Sequence, residues 1–394
     1  MSAASHDDGL ASESERLHER VRAFARAALA GTPPSQGFDA LALDIARFQA
    51  RRAPGFARLC AHHGRALERL EHVPAVPADV FRIARVAVHP PALDVATFRT
   101  SGTTGGSGRH FFRALDTYAE LAVSWGRRAL LGERAPARCT VLALAPPFEP
   151  ERRSSLGYML WRFMAELDGR SLAGGPFEPR EPGRWLIADG QVDLDGLRRA
   201  VRSADARGEP VLLLATAFAL VWLLDALAGS ELPLPAGSVL MLTGGFKGRA
   251  RSIDGHELGL ALCRTLALPP RQLIGEYGMT ELSSQLYDRG FDADGKQPSV
   301  FVEPPWLRVT PVDPISLQPV PPGEVGLACF TDLANVDSAL RVLTQDMVRR
   351  EAGGVVLIGR QSGARLRGCS LAIEALEPAV PRAPAEQASR GALG

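Results

Sequence analysis

The stretch Thr100-Ser101-Gly102-Thr103-Thr104-Gly105-Gly106-Ser107-Gly108-Arg109 constrains this chain more than any other. It follows a run of β-type composition, Val95-Ala96-Thr97-Phe98-Arg99, and precedes an aromatic-led segment whose pattern predicts helix. Glycines permit positive φ and let backbone N–H groups come close to a ligand. Successive N–H groups in such a loop form a concave anion site. The Ser and Thr hydroxyls add donors, and Arg109 adds a fixed, forked positive charge suited to phosphate oxygens. The Walker pattern is excluded, because it needs Gly-Lys-Ser/Thr after its second glycine. A flexible linker of the same composition is the plain alternative, and the position between two regular segments argues against it.

The 394 residues are 46% hydrophobic and 23% charged, enough to bury a large core in two or three subdomains. A formal net charge of +1 favours neither a nucleic-acid partner nor a polybasic membrane contact. The five cysteines are scattered without a Cys-x-x-Cys pair, which argues against a structural zinc site or a disulfide framework. A reducing cytosol suits them. The N-terminal residues lack a basic-then-apolar signal pattern. The apolar run 211–224 is too short to span a bilayer before Asp225 interrupts it. The expectation is a soluble cytoplasmic protein.

Taken in order, residues up to Gly9 are expected to be disordered, and Ser12-x-x-Glu15 has capping-box spacing for a first helix. Leu17, Val21, Phe24 and Leu29 mark its apolar face. Further helices are predicted over about 38–50 and 55–70; His62 and His63 on the latter have no partner at metal-ligand spacing. After the loop, helices are predicted over 115–131, 155–167, 194–206, 218–227 and 253–266. Strands are predicted over 140–144, 211–216, 238–243 and 272–275. This alternation predicts an α/β domain with a largely parallel sheet, which binds ligands at the carboxyl ends of its strands. The stripe Tyr158, Met159, Trp161, Phe163 and Met164 reads as core, or as core that also lines an apolar substrate channel. From about residue 300, short β-like runs at 306–310, 325–330, 339–343 and 355–358 predict a small barrel or distorted sheet. A frayed Pro/Ala-rich tail is expected to close the chain.

Two motifs in order carry a family resemblance. Residues 100–105 resemble the phosphate-binding loop of the adenylate-forming enzymes: acyl- and aryl-CoA ligases, luciferases and peptide-synthetase adenylation domains. Gly275-Glu276-Tyr277-Gly278-Met279-Thr280-Glu281 resembles their Tyr-Gly-x-Thr-Glu motif. More closely, the chain resembles the acyl-protein synthetases of the bacterial luminescence fatty-acid reductase system. Residues 77–81, Phe98-Arg99-Thr100-Ser101-Gly102-Thr103, residues 275–285 and Arg367-Gly368-Cys369-Ser370-Leu371 suggest it, and the likeness runs from about 38 to 376.

The resemblance implies a fold class: the α/β large domain of the adenylate-forming enzymes, with largely parallel sheets and a small barrel-like subdomain. It divides the chain into a helical N-terminal region (1–94), an α/β adenylation core (95–299), a β-rich subdomain (300–360) and a short C-terminal segment (361–394). The family's C-terminal mobile domain, with its catalytic lysine, is expected to be absent or vestigial.

The same resemblance implies the site. Thr100, Ser101, Gly102, Thr103, Thr104 and Gly105 would hold the β- and γ-phosphates of ATP. The family's loop lysine has no counterpart, so either Arg109 or Lys247 would supply that charge. Thr280 would hydrogen-bond the α-phosphate, and Glu281 would hold Mg²⁺. Read from the residues alone, Thr280-Glu281 is equally a helix N-terminus. Tyr277 would stack on adenine beside Glu276 and Gly278, and Gly244 and Gly245 match the glycine pair near that pocket. Asp346 would bind both ribose hydroxyls, though a lone Asp is also a turn former. Arg360 would contact ribose or phosphate, or form a surface salt bridge.

In the acyl-protein synthetases a cysteine at the place of Cys369 accepts the acyl group. Arg365 and Arg367 beside it, and a helix-compatible run after it, would favour the thiolate. A buried structural cysteine is the alternative. Cys60, Cys139, Cys263 and Cys329 lack that setting and are expected to pack.

The implied activity is ATP- and Mg²⁺-dependent conversion of a carboxylic acid, a fatty acid by family, to acyl-adenylate. Transfer to the enzyme thiol and then to an acceptor protein, a reductase or carrier, would follow. The alternatives are an acyl- or aryl-CoA ligase, a stand-alone adenylating enzyme loading a carrier protein, or a non-catalytic nucleotide- or acyl-binding scaffold.

Overall fold

The computed structural model describes residues 3–100, 107–132, 136, 138–168, 183–244, 255–294 and 299–360. The chain opens with helices α1 (Ala3–Leu29), α2 (Phe38–Arg52) and α3 (Pro54–His63). Helix α1 does not begin at the capping box. It runs unbroken from Ala3, and Ser12 lies inside it, its Oγ accepting a hydrogen bond from Arg16 at 2.8 Å. The physical reason is that the buried stripe starts earlier, at Leu10, and continues through Leu17, Val21 and Phe24. Helix α3 stops short of the predicted end because Gly64 turns left-handed, φ +68°, and caps it on the Cys60 carbonyl.

A short strand β1 (Val76–Pro77) and helix α4 (Val80–Ile83) lead to a hairpin, β2 (Ala96–Arg99) and β3 (Arg109–Phe112). The aromatic residues after the loop lie in strand β3, and the helix predicted over 115–131 begins beyond them, at Asp116. Phe98 and Phe112 on the hairpin's inner face meet at 5.1 Å between centroids and pack on Tyr118 and Tyr158. Pairing across the hairpin buries these rings together.

Next come α5 (Asp116–Gly126), extended by a π-helical turn over Arg127–Leu131, then β4 (Thr140–Leu144) and α6 (Ser155–Leu167). The small hairpin β5 (Ile187–Ala188) and β6 (Gln191–Val192) precedes α7 (Leu194–Ala206), β7 (Val211–Thr216), α8 (Ala217–Leu227), β8 (Val239–Thr243), α9 (Gly255–Thr265), β9 (Leu273–Tyr277) and β10 (Leu286–Tyr287). Ser154, Asp193 and Thr216 cap α6, α7 and α8 by accepting backbone N–H bonds at 3.0, 2.8 and 3.2 Å.

Strands β4, β7, β8 and β9 form a parallel sheet with β10 antiparallel at its edge, in the order β10-β9-β8-β7-β4. Their apolar runs split by alternation. Leu142, Leu144, Leu213, Leu240 and Leu273 join a core with α7, α8 and α9. Val141, Ala143, Leu212, Leu214, Met241 and Ile274 face the opposite core, with α5 and α6. Burial on both faces is why these strands read as continuous apolar runs. The stripe on α6 is core: Tyr158, Met159, Phe163 and Met164 are all buried.

The remaining strands, β11 (Val300–Phe301), β12 (Leu307–Val312), β13 (Val325–Asp332), β14 (Arg341–Glu351) and β15 (Gly354–Arg360), form a second, curled sheet. It is antiparallel in the order β11-β15-β14-β13-β12, and β1 adds to β14 in parallel. Between β13 and β14 the chain is irregular yet buried, with Leu333, Val336, Ala339 and Leu340 in the core. Asn335 anchors it: its Nδ2 donates to the carbonyls of Glu281 (3.0 Å) and Ala339 (2.9 Å), and its Oδ1 accepts from Ser283 (2.7 Å). Asn335→Ala strands both carbonyls in the core, and is expected to destabilise the protein by about 2–4 kcal/mol, read as a lower denaturation midpoint in urea.

Candidate functional site

The glycine loop hangs from the end of the β2–β3 hairpin, and the Thr280-Glu281 pair sits where β9 ends. Two contacts bring them together. Thr100 Oγ1 accepts from the Gly108 N–H at 2.8 Å, closing the loop's base, and a Cβ on Gly108 would stand 3.3 Å from Glu281 Oε1. Only a glycine lets the hairpin backbone approach that carboxylate so closely without moving it. Two residues on, the His110 imidazole donates to the Thr280 carbonyl at 2.8 Å.

Residues 278–285 are turn and irregular backbone between β9 and β10, so Thr280-Glu281 does not begin a helix. The Thr280 hydroxyl lies 3.4 Å from Ser155 Oγ at the start of α6. Glu281 is buried, and its carbonyl is held by Asn335. Asp332 accepts from the Ser283 N–H (3.0 Å), the Ser284 hydroxyl (2.7 Å) and the Ala334 N–H (3.0 Å). Its burial outweighs those bonds and pushes its pKa up to about 6.

A second cluster lies along the same strand ends. Gly244, at φ +78°, follows β8. Glu276 on β9 accepts from the Thr243 hydroxyl, and its other oxygen would lie 2.6 Å from a Cβ at position 278, so any side chain larger than that of Gly278 would displace this carboxylate. Burial drives the Glu276 pKa up to about 7, against the Thr243 bond that favours the charged form. The Tyr277 hydroxyl donates to Asp346 Oδ2 at 2.7 Å, and its ring lies parallel to that of Phe330, centroids 5.8 Å apart. Burial, then the Asp346 charge, raises the pKa of that hydroxyl well above the phenol range. Asp346 pairs in register with Arg360 beside a bulge at Ile358 in β15, and the Arg360 Nε stands 3.9 Å from its Oδ1.

Thus the structure draws Thr100, Gly108, Thr280 and Glu281 into one group and Thr243, Glu276, Tyr277, Asp346 and Arg360 into another, linked through β9. Arg109 is exposed, its guanidinium 5.7 Å from the Phe111 ring centroid, and stands directly across the hairpin from Arg99. Among the described residues neither arginine has a carboxylate within ion-pair distance. Ser101, Gly102, Thr103, Thr104, Gly105, Gly245, Lys247 and Cys369 lie outside the described residues. The other four cysteines are free thiols, and burial pushes Cys60 up to about 11 and Cys139 up to about 12, suiting packing rather than nucleophilic roles. Sequence reading missed His110 and Asn335. The first is marked only by its place two residues past Gly108; the second carries no periodic signal.

Among the described residues, no group of three or more His, Cys, Asp or Glu could hold a metal ion. A single buried carboxylate, such as Glu281 against Gly108, would fit an Mg²⁺ that arrives on a triphosphate, since that ion keeps waters and takes one or two carboxylates. No helix of the described residues is long and apolar enough to cross a membrane.

No family model matches the chain. The structure is similar to 2-hydroxyisobutyryl-CoA ligase in an open conformation with 2-HIB-AMP and CoA, with a TM-score of 0.54 at 14% identity, covering 84% of this chain and 76% of that one. The same ligase in its postadenylation state with 2-HIB-AMP gives 0.54 at 15% identity, covering 91% and 69%. The protein therefore has the fold of the adenylate-forming enzymes, as the two motifs imply. In sequence it is similar to the long-chain-fatty-acid–luciferin-component ligase of Vibrio harveyi, 23% identical over 203 residues, 49% of this chain and 52% of that protein. The match spans about half the length of that relative, and it agrees with the resemblance to the luminescence acyl-protein synthetases.

The folded-state pKa of Glu276, about 7, lies above its unfolded value of 4.5. Its neutral form is thus favoured by folding, and that contribution is full below pH 4.5 and lost as pH rises through 7. Glu276→Gln should remove this loss. The difference in unfolding free energy, variant minus wild type, is expected to grow by about 3 kcal/mol between pH 4.5 and 8, measured by urea denaturation.

Proposed function

We propose that this protein activates a carboxylic acid with MgATP to an acyl-adenylate and passes the acyl group to a thiol. The observation that carries the proposal is the approach of the glycine hairpin to the Thr280-Glu281 turn, with Gly108 against the Glu281 carboxylate. An anion loop and a magnesium carboxylate have to share one nucleotide, and these are the two that meet.

In this reading residues 100–105 grip the β- and γ-phosphates, and Arg109 with Arg99 supplies the cation that the loop otherwise lacks. Their direct opposition across the hairpin costs stability through like-charge repulsion, which a bound polyphosphate relieves. Thr280 hydrogen-bonds the α-phosphate. Glu281 holds Mg²⁺, which neutralises charge on the phosphates when bound. Asp346, steadied by Tyr277 and Arg360, takes the ribose hydroxyls, and the base lies by Tyr277 on the ring face that Phe330 leaves. The substrate carboxylate oxygen attacks the α-phosphorus, the bond to the β-phosphate breaks, and pyrophosphate leaves. The Cys369 thiolate then attacks the acyl carbonyl and releases AMP, leaving a thioester that an acceptor protein takes up. A fatty acid as substrate is supported by the luciferin-component ligase, and a cytoplasmic site of action by the scattered thiols.

A second reading, CoA as the acyl acceptor, is favoured by the likeness to a CoA ligase. One experiment separates the two. ATP–pyrophosphate exchange is measured over a panel of carboxylic acids, followed by intact-mass analysis with and without CoA. Wild type should exchange with at least one long-chain acid and gain an ATP-dependent acyl adduct. Glu281→Gln should lower exchange about 100-fold or more. Cys369→Ser should keep exchange and lose the adduct; an adduct that persists in this variant refutes the acceptor assignment, and acyl-CoA formed without enzyme acylation establishes the second reading.

A further inference from the structure

We infer that His110 is a positioning residue: it fastens the loop-bearing hairpin to the turn that carries Thr280 and Glu281, and so sets where the Glu281 carboxylate stands relative to the phosphate loop. The inference rests on the proposed MgATP site. Sequence motifs do not point to it, because His110 lies on the strand leaving the loop and Thr280 is 170 positions away in the chain.

The imidazole is buried and held on two sides by rings. Phe112 lies 4.1 Å away between centroids, and Phe81 from α4 meets it edge-on at 5.7 Å. Those rings leave it little freedom to swing. Its Nδ1 is 2.8 Å from the Thr280 carbonyl oxygen. A carbonyl only accepts, so Nδ1 carries the proton. The turn at 278–285 has no sheet or helix ladder to hold it. Its stiffness comes from side chains of other elements, and His110 is the one on the strand that Gly108, the loop's closing residue, leads into. Pulling on the hairpin therefore pulls on Thr280 and, one peptide further, on Glu281. A packing role alone would be served by any apolar side chain of the right size; a positioning role needs the donor.

That difference gives the test. His110→Asn keeps an N–H near the Nδ1 position, and His110→Leu has similar size without a donor; should Leu not fold, His110→Phe fills the space between the rings instead. For each folded protein, the Mg²⁺ concentration giving half the ATP-induced rise in melting temperature is measured. ATP–pyrophosphate exchange then gives KM for MgATP, KM for the acid and kcat. The Leu or Phe variant is expected to need about 10–100-fold more Mg²⁺ and to lose a like factor in kcat/KM for MgATP, with KM for the acid within about threefold of wild type. The Asn variant is expected to stay within about threefold of wild type throughout. A donor-less variant with wild-type Mg²⁺ demand overturns the inference, and so does an Asn variant as impaired as Leu. Wild type that gains melting temperature with MgATP but exchanges with no acid refutes the proposed activity and leaves the Mg²⁺ comparison to decide on His110. Wild type that MgATP does not stabilise at all overturns both.

Discussion

An irregular segment buried in a protein must have its backbone groups satisfied by something other than a ladder. Residues 278–285 meet that constraint from three directions. His110 of the hairpin takes the Thr280 carbonyl, Asn335 of the β13–β14 connection takes that of Glu281, and Asp332 accepts the Ser283 N–H. The parallel sheet delivers the turn, the hairpin delivers the loop, and the curled sheet delivers the clasp. That three-way satisfaction holds the turn where the hairpin meets it.

The buried acids around this junction fall into two kinds. Glu276 and Asp332 are desolvated with no cation beside them among the described residues, and burial lifts both toward neutrality. Asp337 is buried too, but hydrogen bonds from His18 and Ser14 and the Arg113 guanidinium overcome burial and hold it down to about 2. It ties α1 to the β13–β14 connection and to the residue following β3. So the N-terminal helices serve the site indirectly, by anchoring the same connection whose Asn335 holds the Glu281 carbonyl.

Much of the architecture was legible because it rests on local rules. The predicted spans 140–144, 155–167, 194–206 and 211–216 agree with the observed β4, α6, α7 and β7, since continuous apolar runs and Ser, Asp or Thr caps act within a few residues. The errors fell where distant partners decide. Residues 109–112, for which no strand was predicted, became one because β2 lay opposite and Tyr118 and Tyr158 waited beneath the rings. Thr280-Glu281 became a turn because side chains from other elements satisfied it. The start of α1 was misplaced because a capping box competes poorly with a buried stripe that is already under way.

By itself, the amino-acid order determined the parallel sheet, its covering helices, the glycine loop and the Tyr-Gly-x-Thr-Glu motif, all of which follow from periodicity, turn chemistry and short-range spacing. Only the tertiary structure decided that Gly108 comes against Glu281, that His110 reaches Thr280, and that Tyr277 and Arg360 flank Asp346. These contacts join residues far apart in the chain. No local pattern records them, because burial and hydrogen-bond satisfaction act on whatever the fold brings together.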